Sequence, residues 1–159
     1  MQFVSAWRSA DSRILLDLGT RSLEVFAAHV QSSAAKPEAG GLLLGTVHGQ
    51  GMLISEVTTP TRMDRQWRIF FERMPFGHRA IAKRRWRASG GTVRYLGEWH
   101  THPEDHPHPS SIDLVEWRAL AAQRTDGRAV LAVIVGRMSL HVELMEASGE
   151  RVQLMPAFS

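Results

Sequence analysis

The stretch from Tyr95 to Asp113, Tyr-Leu-Gly-Glu-Trp-His-Thr-His-Pro-Glu-Asp-His-Pro-His-Pro-Ser-Ser-Ile-Asp, constrains this chain most. The run Val93 to Trp99 is largely apolar and reads as a strand that delivers His100 and His102 at its end. Side chains alternate along a strand, so two histidines two positions apart project from one face. Pro109 to Asp113 reads as a helix start, with Ser110 as a natural N-cap and Asp113 at the third helical position. A strand end carrying two imidazoles and a helix start carrying a carboxylate can meet at one point. Two neutral imidazoles and one carboxylate leave a fourth tetrahedral position for water, which is the pattern of a catalytic zinc site rather than a closed structural one.

The rest of the chain supplies a setting for that point. With 159 residues and 43% hydrophobic composition, one globular domain over 1–159 is the simplest organisation. The chain has no cysteine, so a metal must be held by nitrogen and oxygen, and the composition suits a reducing cytoplasm. No secretory signal is visible at Met1 to Arg8, and no apolar run approaches the ~20 residues that span a bilayer. Arg13 to Leu16 reads as a short first strand. Leu23, Phe26, Ala27 and Val30 give a helical stripe, with Thr20 or Ser22 as its cap. Pro37 to Val47 is an aliphatic strand in which Gly40, Gly41 and Gly45 permit close backbone approach, and Glu38 stands at its mouth. Met52 to Thr59 completes a hairpin. Gln66 to Glu72 reads as a strand and Pro75 to Ala88 as a helix. Leu114, Val115, Trp117, Leu120 and Ala121 form the apolar stripe of the helix that Ser110 starts. Ala129 to Val135 reads as a central strand, Ser139 to Met145 as a half-exposed one, and Arg151 to Met155 as the last.

Glu38, His100-Thr-His102-Pro103 and, after six further residues, Ser110-Ser-Ile-Asp113 together resemble the JAMM motif of the MPN/JAB zinc metalloprotease family. The resemblance extends to Pro37-Glu-Ala-Gly-Gly-Leu-Leu-Leu-Gly45 and to the order of the intervening elements, and so covers most of the chain. It implies an α/β fold, a cytidine-deaminase-like curved mixed sheet flanked by helices. It implies that His100, His102 and Asp113 are ligands of Zn2+, that Glu38 is the general base and acid acting through the zinc-bound water, and that Ser110 stabilises the oxyanion. The chemistry implied is hydrolysis of a peptide or isopeptide bond. Within the family the sequence is most similar to the small bacterial isopeptidases, among them the deconjugases of CBASS antiphage systems. That likeness implies a partner that is a ubiquitin-like protein or a cGAS-like nucleotidyltransferase conjugated through its C-terminus. A JAB protease of another ubiquitin-like or sulfur-carrier pathway, and a non-catalytic MPN scaffold, are the alternatives, the second disfavoured because no ligand is missing.

Other polar residues have plainer readings. His106 and His108 alternate with Pro103, Pro107 and Pro109 and read as a stiff extended loop, since zinc needs only three protein ligands here. Glu104 and Asp105 read as solvated loop charges. Trp99 and Trp117 read as packing residues, and Glu98 shares the strand face of His100. The net charge of +3 is unevenly spread: from Arg62 to Arg94 ten Arg or Lys face only Asp64 and Glu72, which leaves the remainder of the chain net acidic. This run is either a solvated helix face or a surface for an acidic partner. A single tyrosine and the lack of any recognition motif speak against nucleic acid.

Overall fold

The computed structural model describes residues 3–36, 38–59 and 75–158, with side chains from residue 82 onward in the last stretch. The strand expected at Gln66 to Glu72 lies outside the described residues. In chain order come β1 (Ala6–Arg8), β2 (Leu15–Leu18), α1 (Thr20–Ala28), β3 (Gly40–His48), β4 (Gly51–Val57), α2 (Pro75–Ala88), β5 (Arg94–Thr101), α3 (Ser111–Gln123), β6 (Val130–Val135), β7 (Leu140–Met145), β8 (Arg151–Gln153) and β9 (Met155–Pro156).

The strands form one mixed sheet in the order β8-β7-β6-β5-β3-β4-β2-β1-β9. The pairs β2–β4 and β5–β6 are parallel; the others are antiparallel. Its two end strands are separated in sequence by Leu154 alone, whose N–H donates to the Val142 carbonyl at 2.9 Å. The C-terminal segment thus runs from one edge to the other and curls the sheet almost into a barrel. The curved mixed sheet flanked by helices that the resemblance implies is present.

Both faces of the sheet are covered, and β6 shows why its sequence is apolar throughout. Leu131, Val133 and Val135 enter a core shared with Trp7, Phe26, Leu43 and Trp99. Val130, Ala132 and Ile134 alternate to the opposite face and pack with Trp117, Ala121 and Met145. A strand buried on both sides reads as a continuous aliphatic run. α3 docks on that second face through Asp113, Trp117 and Ala121, one helical row at i, i+4 and i+8. Val115, expected in the stripe, is 63% exposed because it lies off this row.

Three further expectations are corrected. α1 starts at Thr20 with Gly19 in the cap position and no side-chain cap bond, so neither Thr20 nor Ser22 caps it. Ser22 is instead buried and donates to the Ile54 carbonyl at 3.2 Å, while Ala27 faces solvent. β7 alternates as expected but is buried along its whole length. Its polar members form a closed group: His141 Nε2 lies 2.8 Å from Glu143 Oε1, and Arg151 donates to the same carboxylate at 2.8 and 2.7 Å. Burial works against ionised Glu143, but these hydrogen bonds hold its carboxyl below the ordinary range. Finally, β1 precedes the strand expected near Arg13, which runs from Leu15 to Leu18.

The glycines of β3 permit the close approaches expected of them. A Cβ on Gly41 or Gly45 would stand 1.9 Å from the carbonyl oxygen of Thr58 or Leu53. Gly45 also sits where the β3–β4 register shifts. Gly45→Ala is expected to destabilise the protein by about 1–3 kcal/mol, the usual cost of overpacking. Urea unfolding checks this, and an unchanged midpoint would show that the β4 backbone yields freely.

Candidate metal centre

Strand register brings the early glutamate to the histidines. β3 and β5 are antiparallel, with Gly40 opposite His100. The ladder continues past the strand ends: Thr101 N donates to Ala39 O at 2.9 Å and Ala39 N to Thr101 Oγ1 at 2.9 Å. Two residues back from Gly40 and two forward from His100 stand Glu38 and His102, on the same face by alternation. Gly40 lets β3 approach β5 closely here; a Cβ there would lie 2.6 Å from Trp99 O and 3.2 Å from His100 Cβ. His102 is anchored on the other side, its N–H donating to Val135 O at 3.0 Å.

The aspartate arrives from α3. Ser110 caps this helix in a reciprocal box: Asp113 N donates to Ser110 Oγ at 3.1 Å, and Ser110 N donates to Asp113 Oδ2 at 2.8 Å. The box aims the carboxylate at the strand end. Asp113 Oδ1 is 3.3 Å from His100 Nε2, Asp113 Oδ2 is 3.3 Å from His102 Nε2, and the two Nε2 atoms are 3.0 Å apart. Ligands about 2.0–2.1 Å from a tetrahedral zinc stand about 3.3 Å from one another. The three distances are of that size, although each imidazole meets a different oxygen of Asp113, so these donors are compatible with a metal site. Glu38, His100 and His102 also offer ligand atoms within 4.8 Å of one another. Glu38 Oε1, however, is 4.0 Å from His100 Nε2, longer than a tetrahedral edge.

Burial sharpens the electrostatics. His100 and Asp113 are 1% and 2% exposed, and Trp117, one turn beyond Asp113, sets its ring 6.2 Å from that of His100. Burial alone raises the pKa of Asp113, but hydrogen bonding with His100 and His102 and the Ser110 N–H hold it well below the usual carboxylate range. For His102, burial pushes the imidazole down, yet Asp113 and Glu104, through hydrogen bonds and charge, raise it above its ordinary value.

Other residues resolve as follows. His106 Nδ1 lies 2.8 Å from Ser139 Oγ, and the His108 ring lies 6.5 Å from that of His141. Neither belongs to the metal-competent group among the described residues. Glu98 is 5% exposed on the His100 face, and Trp99 donates from its indole to Thr58 O at 3.1 Å while packing on Phe26. Glu104 and Asp105 are exposed loop charges, as expected, but each also has a partner: Glu104 Oε1 lies 2.8 Å from His102 Nδ1, and Arg137 Nε donates to Asp105 Oδ1 at 2.8 Å. The only sequence signal for Glu104 was its distance of two residues from a histidine. Of the basic run, Arg85 pairs with Glu56, and Arg94 sits over the half-exposed Trp86 at 5.5 Å.

A protein of Pseudomonas aeruginosa named CD-NTase/cGAS isopeptidase is 57% identical over 150 residues, covering 94% of this chain and 95% of the relative. An Escherichia coli protein of the same name is 36% identical over 70% of each chain. A solution structure from Desulfitobacterium hafniense, at 19% identity, overlaps 87% of this chain and 88% of its own with a TM-score of 0.55, which is a likeness of fold. Residues 20–149 match the family described as prokaryotic homologs of the JAB domain, and the chain belongs to that family.

Proposed function

We propose that this protein is a zinc-dependent isopeptidase that releases a cGAS-like nucleotidyltransferase, or a ubiquitin-like protein, from the amine to which its C-terminus has been conjugated. The observation that carries this reading is the convergence of His100 Nε2 and His102 Nε2, 3.0 Å apart, on the Asp113 carboxylate, one oxygen 3.3 Å from each nitrogen. The substrate class is supported by the 57% identical relative, whose name states that activity on CD-NTase/cGAS. Strands drawn from residues 6 to 156 into one sheet support treating 1–159 as one domain. Among the described residues no helix is long and apolar enough to cross a membrane. The proposed setting is the bacterial cytoplasm, in a CBASS-type antiphage system.

Zinc, when bound, lowers the pKa of a water ligand to about 7 and polarises a carbonyl. The residues around it supply the remainder. Glu38, 22% exposed at the rim, takes a proton from the attacking water and returns it to the departing amine. Ser110 Oγ already accepts from Asp113 N, so its own hydroxyl hydrogen is free to donate to the developing oxyanion. The α3 N-terminus adds a favourable dipole there.

The test uses a purified conjugate joining a CD-NTase C-terminus to a lysine side chain. The zinc-loaded protein is expected to release the intact CD-NTase, EDTA to stop the release and added zinc to restore it. A protein that holds one zinc yet leaves both this conjugate and a ubiquitin-like one whole would overturn the proposal.

A further inference from the structure

We infer that Glu104 is a positioning residue: its carboxylate fixes the tautomer and ring orientation of His102, and the turn between β6 and β7 holds Glu104 in place for that task. The inference rests on the zinc reading above. A neutral imidazole ligates through the nitrogen that lacks a hydrogen. His102 turns Nε2 toward His100 and Asp113, at 3.0 and 3.3 Å, and turns Nδ1 toward Glu104 Oε1 at 2.8 Å. An ionised carboxylate can only accept, so Nδ1 must carry the hydrogen. In the neutral ring Nε2 then presents its lone pair to the metal position. Partners of this kind orient histidine ligands generally.

Glu104 is 47% exposed, which on composition alone would make it an ordinary loop glutamate. Its backbone is nonetheless clamped. Glu104 O accepts from Arg137 N at 2.7 Å. Asp105 O accepts from Met138 N at 3.0 Å and Ser139 N at 3.1 Å, and Arg137 Nε reaches Asp105 Oδ1 at 2.8 Å. His106 adds its contact with Ser139 Oγ at 2.8 Å. Gly136 makes the fit possible, because a Cβ there would lie 2.4 Å from Pro107 Cδ and 2.8 Å from Glu104 O. Pro103, the one residue between His102 and Glu104, has its φ fixed by its ring. The same β6 end that receives the His102 N–H therefore leads into the turn that pins Glu104. Because the carboxylate is well solvated, its main contribution is direction rather than charge.

Two variants separate direction from charge. Glu104→Gln keeps an oxygen that accepts from Nδ1–H; Glu104→Ala does not. Zinc affinity, measured by chelator competition, is expected to weaken about 10- to 100-fold in Glu104→Ala, and to stay within about threefold of wild type in Glu104→Gln if one neutral acceptor suffices. Long-range nitrogen–proton NMR on zinc-stripped protein at pH 8 is expected to show His102 with its hydrogen on Nδ1 in wild type and Glu104→Gln, and a tautomer mixture in Glu104→Ala. An alanine variant with wild-type affinity and an unchanged tautomer would overturn the inference, as would equal weakening in both variants with the tautomer unmoved. If wild type itself binds no zinc, the metal reading fails while the NMR result still decides whether Glu104 sets the tautomer.

Discussion

Glu38→Gln is expected to keep the fold and about one zinc per chain while lowering isopeptide cleavage by about 100- to 10,000-fold, the range supplied by a positioned acid–base group. The amide preserves the shape of the side chain and removes its capacity to take a proton. The outcome distinguishes two roles that the geometry brings close together. Glu38 belongs to a group with His100 and His102 whose ligand atoms all lie within 4.8 Å, so a ligand role has to be tested directly. Loss of zinc together with activity would make Glu38 a ligand; full activity with zinc retained would remove it from the mechanism. Metal content and turnover on the same preparation decide.

The second large effect concerns Asp113. Asp113→Ala is expected to take zinc content from about one per chain to near zero, as befits loss of one of three protein ligands. It also removes the acceptor for Ser110 N, so a modest destabilisation, on the order of 1 kcal/mol for a lost cap interaction, accompanies it. Asp113→Asn separates the two, since the amide oxygen can still accept from Ser110 N while the charge facing both imidazoles is gone; it should fold near normally and still bind metal poorly. His106→Ala is the contrasting control and should hold its zinc, because His106 faces Ser139. Atomic absorption reads all three. An Asp113→Ala protein with a full complement of zinc would redraw the ligand set.

The local half of the site was legible because it depends on short-range rules. A histidine two residues after another at a strand end shares its face, and a serine three residues before an aspartate makes a cap. His100, His102, Ser110 and Asp113 followed from spacing of that kind. Glu38 did not, since its place depends on the register that sets Gly40 against His100, about sixty residues away. The motif resemblance supplied that link. Glu104 was missed for a different reason: the hydrogen bonds that clamp it come from the 136–139 turn, which no local pattern near residue 104 announces. The polar alternation of β7 was read as facing water because sequence records polarity and not whether an arginine, here Arg151, arrives to pair with it. Likewise Ser22 resembled a cap until its hydroxyl was found bonded to Ile54 on β4.

The junction at Leu154 bears on how the molecule comes into being. β1, at residues 6–8, is flanked on one side by β9, at residues 155–156. A nascent chain therefore cannot finish its sheet until residue 156 or so has left the ribosome, and contacts of such span form slowly. Until that moment β7 and β1 border the growing sheet; afterwards the borders are β8 and β9, three and two residues long, which offer other polypeptides little to pair with.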